Sequence, residues 1–330
     1  MQAQTETMLA GFLHRTLLGT ALALGLGIAP AAQAQIKGLE IIAPANPGGG
    51  WDQTARAMQA SLQEAGLASG VQVQNIAGAG GTIGLAQFVT SKKRDGHALL
   101  VGGLVMLGAI VTNKSPVSME DVAPVARLTG EYELIVVSVD SPIRTMADLV
   151  AKLKIDPGAV SWGGGSAGGT DHILAGLIAK AAGADLTKLN YIAHSGGGEA
   201  LASILGGHVT VGISGYEEFA PQIVAGKLRG IAISADQRPP GIDMPTLKEQ
   251  GIDVSLVNWR GIMAGSQLRD ADRKALVAAI DGMVKSPSWQ ETLKKRGWID
   301  MYQPADEFAA FLKQDRATVE TTLKDIGLVK

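Results

Sequence analysis

The chain has 330 residues and is almost neutral, with 29 basic and 31 acidic side chains and a formal net charge of −2. A nucleic-acid binder would show a basic patch or stripe, so this balance argues against a nucleic-acid partner. The sequence contains no cysteine, which excludes disulfides, thiolate metal sites and a lipid anchor on a cysteine.

The N-terminal segment, residues 1–34, has the pattern of an export signal. His14 and Arg15 precede an apolar stretch that is too short to span a membrane. Small residues follow, and an Ala-Gln-Ala sequence that fits a cleavage site ends at Ala34. A membrane-anchoring helix is the alternative, but Pro30 would break such a helix. We therefore predict a bacterial-type periplasmic protein that is cleaved after Ala34.

Strand-like and helix-like segments alternate through the next hundred residues. The predicted strands are 39–43, 71–76 and 98–101, and the predicted helices are 53–65 and a segment that starts near Thr82. Strands that are separated by helical stretches of this length indicate parallel βαβ units.

A second alternating block begins with an apolar strand at 134–139. Thr145 is the predicted N-cap of the helix that follows it. The remaining predicted elements are helix 146–153, strand 160–162, helix 171–182, strand 189–193, helix 199–205, strand 208–213, strand 230–234, and a mostly helical region 266–330 with a short strand at 298–299.

This order of elements predicts an α/β fold with two lobes joined by two crossing strands. The chain would leave the first lobe near Val137 and return near Ser234. We therefore assign residues 35–137 and 235–330 to lobe 1 and residues 138–234 to lobe 2.

Four glycine-rich loops, at residues 46–52, 78–84, 163–172 and 195–199, each open a predicted helix. A strand–glycine–helix junction directs unpaired backbone N–H groups and the positive end of a helix dipole at one point, which suits an anion. Loops at the same ends of parallel strands converge on a cleft. The loops therefore predict a site that closes on one acidic ligand.

Two residues of these loops have an equally simple structural explanation. Asp52 would cap helix 53–65, a role that is compatible with fixing a ligand-binding loop. Trp51 would form either a wall of the pocket or part of the lobe core.

The third loop also matches a dinucleotide-binding motif. Residues 163–168 have the spacing G-x-G-x-x-G, but the acid that should end the next strand is only approximated by Asp185, which lies in a predicted loop. The sequence has no Walker A motif and no H-x-H or H-x-x-x-H pair. We therefore expect no cofactor and no metal ion.

The same loop contains G-x-S-x-G, the spacing of a nucleophile elbow with Ser166 as the nucleophile. A catalytic triad would need a later histidine, and only His172, His194 and His208 follow Ser166. A secreted serine hydrolase that uses Ser166 is the alternative function. His172 is as well placed to touch a ligand as to serve a structural role.

Six short motifs extend over nearly all of the chain beyond residue 34. In chain order they are P-G-G-G-W-D at 47–52, N-I-A-G-A-G-G-T-I-G at 75–84, S-G-G-G at 195–198, G-G-H-V at 206–209, M-P-T-L-K-E-Q-G at 244–251 and W-R-G at 259–261. Together they resemble the substrate-binding proteins of tripartite tricarboxylate transporters, the TctC/Bug family. The resemblance implies a type II periplasmic binding protein fold with a ligand carboxylate held between two lobes.

The resemblance also implies which residues hold the ligand, mainly through backbone amides and small polar side chains. Carried over by position, they are Asn46, Gly49, Gly50, Trp51, Asp52, Gly80, Gly81 and Thr82 on lobe 1, and Ser166, Gly169, Thr170, His172, Ser195, Gly196 and Tyr216 on lobe 2. This chain departs from the family pattern in its Ala45-Asn46 approach to the first loop. Asp171 is a second departure, because it places a negative charge next to the expected anion site. It either faces away as an acid at the start of a helix or accepts a hydrogen bond from a ligand hydroxyl or amine.

The function that the resemblance implies is a periplasmic solute receptor without catalytic residues. Its lobes would close on a small carboxylate, and the closed form would dock on the membrane permease subunits of a tripartite tricarboxylate transporter. We expect citrate or another tricarboxylate first, a C4-dicarboxylate second and an aromatic acid third, bound by a monomer.

Overall fold

The computed structural model describes residues 35–330, in which strands and helices alternate around one long central strand. The strands in this range are β1 (Ile36–Lys37), β2 (Glu40–Ala43), β3 (Ala68–Ser69), β4 (Gln72–Asn75), β5 (Ala98–Gly103), β6 (Val122–Ser138), β7 (Ser161–Gly164), β8 (Asn190–Ala193), β9 (Val211–Gly215), β10 (Leu228–Ile233), β11 (Val257–Gly265) and β12 (Ile299–Pro304). The α-helices are α1 (Gly50–Glu64), α2 (Thr82–Ser91), α3 (Leu104–Thr112), α4 (Met146–Ile155), α5 (Thr170–Ala181), α6 (Gly197–Leu205), α7 (Tyr216–Val224), α8 (Asp270–Val284), α9 (Pro287–Arg296) and α10 (Ala305–Asp325).

Ten of these strands form one sheet in the order β4-β2-β5-β11-β6-β9-β7-β8, with β10 and β12 also paired to β6. Strand β2 pairs in parallel with β4 and β5, and β7 pairs in parallel with β8 and β9. These two groups are the predicted parallel βαβ units. Strands β1 and β3 form a separate parallel pair.

Strand β6 connects the two parallel groups. Its first part, residues 122–132, pairs antiparallel with β11, and residues 133–136 pair antiparallel with β9. The sheet therefore continues from one half of the molecule into the other along a single strand. This path resembles the first of the two predicted crossings.

Apolar side chains on both faces of the second half-sheet are buried. Ile135 and Val137 belong to one buried cluster, whereas Leu134 and Val136 belong to another, as the alternation of side chains along a strand requires. The largest buried cluster lies in the other half, among β2, β5 and the C-terminal helices. Helices therefore cover both halves of the sheet, as expected for parallel βαβ units.

Helix α1 begins three residues before the predicted start, so the prediction that Asp52 caps it is wrong. The N-cap is Gly49, which makes no side-chain capping bond. Asp52 lies in the first turn, and its carboxylate accepts a hydrogen bond from the backbone N–H of Gly48 at 2.8 Å. The N-cap role of Thr145 is confirmed, because its hydroxyl accepts from the N–H of Asp148 at 3.2 Å.

No helix or strand is predicted from the sequence for residues 102–109, 130–133 and 214–219, but all three segments contain regular structure. Residues 104–112 form α3, residues 130–133 belong to β6, and residues 216–224 form α7. Helix α3 follows β5 directly, so no polar turn in the sequence marks its start. Helix α7 contains Pro221, a residue that usually argues against a helix interior.

The predicted lobe boundaries stay a prediction. Leu247, Ile252 and Val254 pack into the buried cluster of the second half, although the prediction assigned residues 235–330 to the first. This packing favours a return of the chain along β11 instead of near Ser234.

The predicted export signal and its cleavage after Ala34 lie outside the described residues. No helix between residues 35 and 330 is long and apolar enough to cross a membrane.

Candidate ligand-binding cleft

A cavity of about 330 Å³ lies among the four glycine-rich loops. The first two loops come from the half of the sheet that contains β2 and β5, and the other two come from the half that contains β7 and β9. All four loops contribute lining residues, among them Gly50, Gly80, Gly169 and Gly196. The structure therefore brings together loops that are distant in sequence, such as the first and the fourth, where Asn46 and Glu199 are 153 positions apart.

Five helices, α1, α2, α5, α6 and α7, begin at this cavity. Their N-cap residues all line it, and all are glycines: Gly49, Gly81, Gly169, Gly196 and Gly215. None of these glycines supplies a side-chain capping bond, so at α1, α2, α5 and α6 a ligand can reach the first-turn N–H groups without displacing a cap. In α7 the N–H of Glu217 already donates to the carboxylate of Glu131 at 2.9 Å. The positive ends of the five helix dipoles point toward the same cavity, which favours an anion.

A buried arginine from β11 adds a positive charge to this site. Arg260 is only 3% exposed, and its Nη2 donates to Glu131 at 2.5 Å. Its Nη1 has no hydrogen-bond partner among residues 35–330, although the side chain lines the cavity. A Cβ atom built on Gly50 would lie 2.5 Å from Nη2, so the guanidinium sits directly against the N-terminus of α1.

Four acidic residues also line the cavity: Glu199 in the fourth loop, and Glu133, Asp171 and Glu218, which form an acidic wall. Asp171 accepts from the N–H of Gly165 at 2.5 Å, and Glu218 accepts from the hydroxyl of Ser214. Glu133 is fully buried, and neither of its carboxylate oxygens has a hydrogen-bond donor within the part of the chain that the structure describes. The cavity therefore combines anion-binding groups with a buried acidic wall.

Burial changes the ionisation of this wall. Burial, reinforced by the charge of Asp171, raises the pKa of Glu133 well above its ordinary value. Burial likewise raises the pKa of Asp171 to about 6 and, together with the charge of Glu131, the pKa of Glu218 to about 7. Part of the wall therefore carries protons near neutral pH.

Most of the predicted ligand-binding residues line this cavity. They are Gly49, Gly50, Trp51, Gly80, Gly81, Ser166, Gly169, Thr170, Ser195 and Gly196. Trp51 has both of its predicted roles, because it lines the cavity and belongs to the buried core. That these residues contact a ligand stays a prediction.

Asp52 and Thr82 are predicted ligand-binding residues that do not line the cavity. The carboxylate of Asp52 is 2% exposed, accepts from the amide of Asn75 at 2.9 Å and pairs with Arg56 at 2.9 Å. The hydroxyl of Thr82 donates to the carbonyl of Ala79 at 2.9 Å. Both side chains therefore hold the shape of their loops.

His172 also lies outside the cavity lining. Its Nδ1 accepts from the N–H of Gly168 at 3.1 Å, and its ring stacks on Tyr191 with the centroids 3.9 Å apart. Burial lowers the pKa of His172 to about 4, so the imidazole is neutral at physiological pH. In this position the ring fixes the third loop.

Asn46 and Tyr216 lie at different borders of the site. The side-chain amide of Asn46 donates to Glu199 at 3.4 Å and so reaches from the first loop to the fourth. Tyr216 lines a separate groove together with Arg296 and Trp298.

Sequence reasoning missed Arg260, Glu133, Glu218 and Asn258, which all line the cavity. The glycine-rich loops contain no arginine, so sequence reasoning treated an arginine as not required for binding. Two features of the sequence could have pointed to these residues. Arg260 lies in the W-R-G motif at 259–261. Glu131 and Glu133 alternate with Tyr132 and Leu134 at the start of a predicted apolar strand.

The geometry around Ser166 does not favour a nucleophile. Within the described residues, its hydroxyl makes no hydrogen bond to a histidine. His172 is bonded to Gly168, and Nε2 of His194 is bonded to the hydroxyl of Ser203 at 2.9 Å. Neither ring is free to act as the general base that a triad needs.

Comparisons with known proteins agree with the geometry in favouring a binding site over a catalytic site. The model of the family described as "Tripartite tricarboxylate transporter family receptor" matches residues 54–328. A UPF0065 protein of Bordetella bronchiseptica is 33% identical over 265 residues, which cover 76% of this chain and 75% of that protein.

Two solved structures are similar over 88% of this chain, each at 22% identity. The periplasmic binding protein BugD gives a TM-score of 0.79 and is covered over 98% of its length. MatC from Rhodopseudomonas palustris, solved with bound malate, gives a TM-score of 0.76 and is covered over 99%. These likenesses confirm the predicted type II periplasmic binding protein fold.

Proposed function

Because the chain belongs to the tripartite tricarboxylate transporter receptor family, we propose that it binds a small organic acid in this cleft and presents it to the membrane permease subunits of such a transporter. The family consists of periplasmic solute-binding receptors and not of enzymes. The prediction of a binding protein, as opposed to a hydrolase that uses Ser166, is therefore confirmed.

The observation that carries the proposal is the convergence of five helix N-termini, four of them without a side-chain cap, on one cavity beside Nη1 of Arg260. Hydrogen bonds to a charged group are worth about 1.5–3 kcal/mol each. Three or four such bonds to a carboxylate would support a dissociation constant of about 1 µM after the costs of ordering are met.

The size and charge of the cavity favour a ligand with few carboxylates. A volume of about 330 Å³ lies at the small end of the range for ligand pockets. Citrate, ranked first from the sequence, would bring a third carboxylate toward Glu133, Asp171 and Glu218. The bound malate in MatC is a C4-dicarboxylate. We therefore rank a small acid of this size ahead of a tricarboxylate, with aromatic acids last.

The proposal also covers the cellular location of the protein, its cleavage and its oligomeric state. Residues 1–34 would direct export and be removed after Ala34, so that a monomer acts in the periplasm without a cofactor or a metal ion. N-terminal sequencing of the protein recovered from a periplasmic extract tests the cleavage, and its elution volume from a size-exclusion column tests the monomer.

Thermal unfolding in the presence of candidate ligands tests the function. The protein is unfolded and refolded to strip any carried-over ligand and is then melted with tricarboxylates, dicarboxylates, amino acids and aromatic acids. A ligand at 100 times its dissociation constant adds about 2.7 kcal/mol of stability, which gives a clear shift of the midpoint. A shift with at least one acid is the expected result, and no shift with any of them would refute the proposal.

Ser166→Ala separates binding from catalysis in the same protein. We expect the variant to bind more weakly than the wild type but detectably, because Ser166 is one of many lining residues. An ester hydrolysis that the wild type catalyses and the variant does not would contradict the receptor function.

A further inference from the structure

The acidic wall of the cavity contains hydrogen-bond acceptors that lack donors. Both carboxylate oxygens of Glu133 and Oδ1 of Asn258 are buried without a partner among the described residues. Both side chains line the cavity. Burying a polar group without a hydrogen-bond partner costs free energy. A donor on a bound ligand would remove this cost, since the described residues supply none to these acceptors.

We propose that Glu133, with Asp171 and Glu218, forms a subsite for a protonated amino group, and that the ligand is an amino acid or another small acid that carries a primary amine. The inference rests on the proposed function, because the carboxylate of the same ligand would occupy the glycine-capped helix N-termini near Arg260. Asn258 would accept a further hydrogen bond from the amine.

Helix capping does not account for this wall. Asp171 and Glu218 lie in the first turns of α5 and α7, where an acid is stabilised by the helix dipole. Glu133 lies in β6, opposite Gly215 and outside the first turn of any helix, and no side chain among the described residues donates to it. A ligand group explains this residue, whereas the helices explain only its two neighbours.

An ammonium group matches the chemistry of the wall. It carries one positive charge and three N–H donors on a single atom, and the acids of the wall offer it only acceptors when they are ionised. Across residues 35–330, no group of three or more His, Cys, Asp or Glu side chains is arranged to hold a metal ion.

The positive charge of Arg260 acts on Glu133 and Glu218, but no cation among the described residues forms an ion pair with the three acids of the wall. Arg260 on β11 pairs with Glu131, and Arg296 on α9 pairs with Glu217 on α7. Tyr191 on β8 donates its hydroxyl to the carbonyl of Gly165 instead of to an acid. The acids Glu133, Asp171 and Glu218 therefore face the cavity without a cation of their own.

This arrangement predicts opposite proton linkage for two kinds of ligand. The raised pKa values of the wall mean that it holds protons near neutral pH when no cation is present. An ammonium group favours the ionised acids, so its binding should release protons to solvent. A second carboxylate in the same place should instead cause proton uptake or none.

Matched pairs of acids, which differ only in the amine, test the subsite. Isothermal titration of the refolded protein would compare aspartate with succinate, glutamate with glutarate, and alanine with propionate. In at least one pair we expect the amine-bearing acid to bind at least tenfold more tightly. Repeating that titration in two buffers with different ionisation enthalpies should show net proton release for the amine-bearing acid alone.

Glu133→Gln keeps the shape of the wall and removes its charge. We expect this variant to lose at least tenfold in affinity for the amine-bearing acid while its affinity for the desamino acid is unchanged or higher. Glu64→Gln, an exposed position at the end of α1, makes the same chemical change outside the cavity and should leave both affinities as in the wild type. If Glu133→Gln fails to fold, the proton-release measurement on the wild type still decides.

The outcomes separate the two proposals. Tighter binding of the amine-bearing acid with proton release, lost in Glu133→Gln, supports the subsite. Desamino acids that bind as tightly in every pair would overturn the subsite and leave the receptor function intact. A preference for the amine that survives in Glu133→Gln would overturn its assignment to this wall. No binding of any acid would overturn the proposed function and the subsite with it.

Discussion

Gly50→Ala would place a methyl group where the first turn of α1 meets the guanidinium of Arg260. The new Cβ would lie 2.5 Å from Nη2 and 2.9 Å from Cζ, whereas ordinary van der Waals contact begins at 3.4 Å. Arg260 cannot swing into solvent, because it is 3% exposed and bonded to Glu131. Either the helix start or the buried ion pair must therefore move by about 1 Å.

The free-energy cost of this overpacking should be about 1–3 kcal/mol. Because about 1.4 kcal/mol corresponds to a factor of ten in affinity, we expect a loss of roughly 5- to 140-fold for any acid whose carboxylate contacts α1 and Arg260. If the unbound protein absorbs the strain instead, the same amount should appear as a lower free energy of unfolding. Titration calorimetry and denaturant unfolding of one sample measure both quantities.

Gly198→Ala is the matched control, because Gly198 does not line the cavity and a Cβ there would meet no atom within 4 Å. This variant should bind as the wild type does and gain slightly in stability, since alanine is favoured over glycine inside a helix. Wild-type affinity and stability in Gly50→Ala would refute the argument that Arg260 is confined against the start of α1.

Three further predictions concern the same cavity. Glu218→Gln should raise the free energy of unfolding at pH 8, by up to about 3 kcal/mol, because burial raises the pKa of Glu218 to about 7 and the wild type loses stability as pH rises from about 4.5 through 7. Denaturant unfolding at several pH values checks this, and a gain that persists below pH 4.5 would contradict it. Trp51 lines the cavity, so the change in tryptophan fluorescence on ligand binding should be largely lost in Trp51→Phe. Asn46→Ala should lower affinity only a few-fold, because the bond to Glu199 is exposed and 3.4 Å long, and calorimetry showing a hundredfold loss would contradict this view.

The glycine-rich loops could be predicted from the sequence because their signal is local. Each lies between a strand and a helix, so a short segment such as residues 163–172 contains both the geometry and its consequence for an anion. The positions of Gly50 and Gly169 at the cavity follow from this local pattern together with the rule that parallel strands end at one edge.

The charged part of the site could not be predicted in the same way, because it depends on pairing between distant segments. Strands β6 and β11 pair with Asn258 opposite Glu131 and Arg260 opposite Thr129, positions more than 125 residues apart in sequence. A shift of this register by one residue would turn Arg260 to the other face of the sheet. No local pattern in either segment determines that register.

The two ends of the cavity would select between ligands by charge as well as by contact. Two unit charges about 5 Å apart interact by roughly 3 kcal/mol at an effective dielectric constant of about 20. At the wall formed by Glu133, Asp171 and Glu218, that energy favours an ammonium group and opposes a second carboxylate. Repulsion of the wrong ligand is an efficient source of specificity, because it adds to the loss of favourable contacts. A cavity with this polarity would therefore prefer a zwitterion over a dianion of equal size, even though its glycine-capped helices hold the carboxylate of either one equally well.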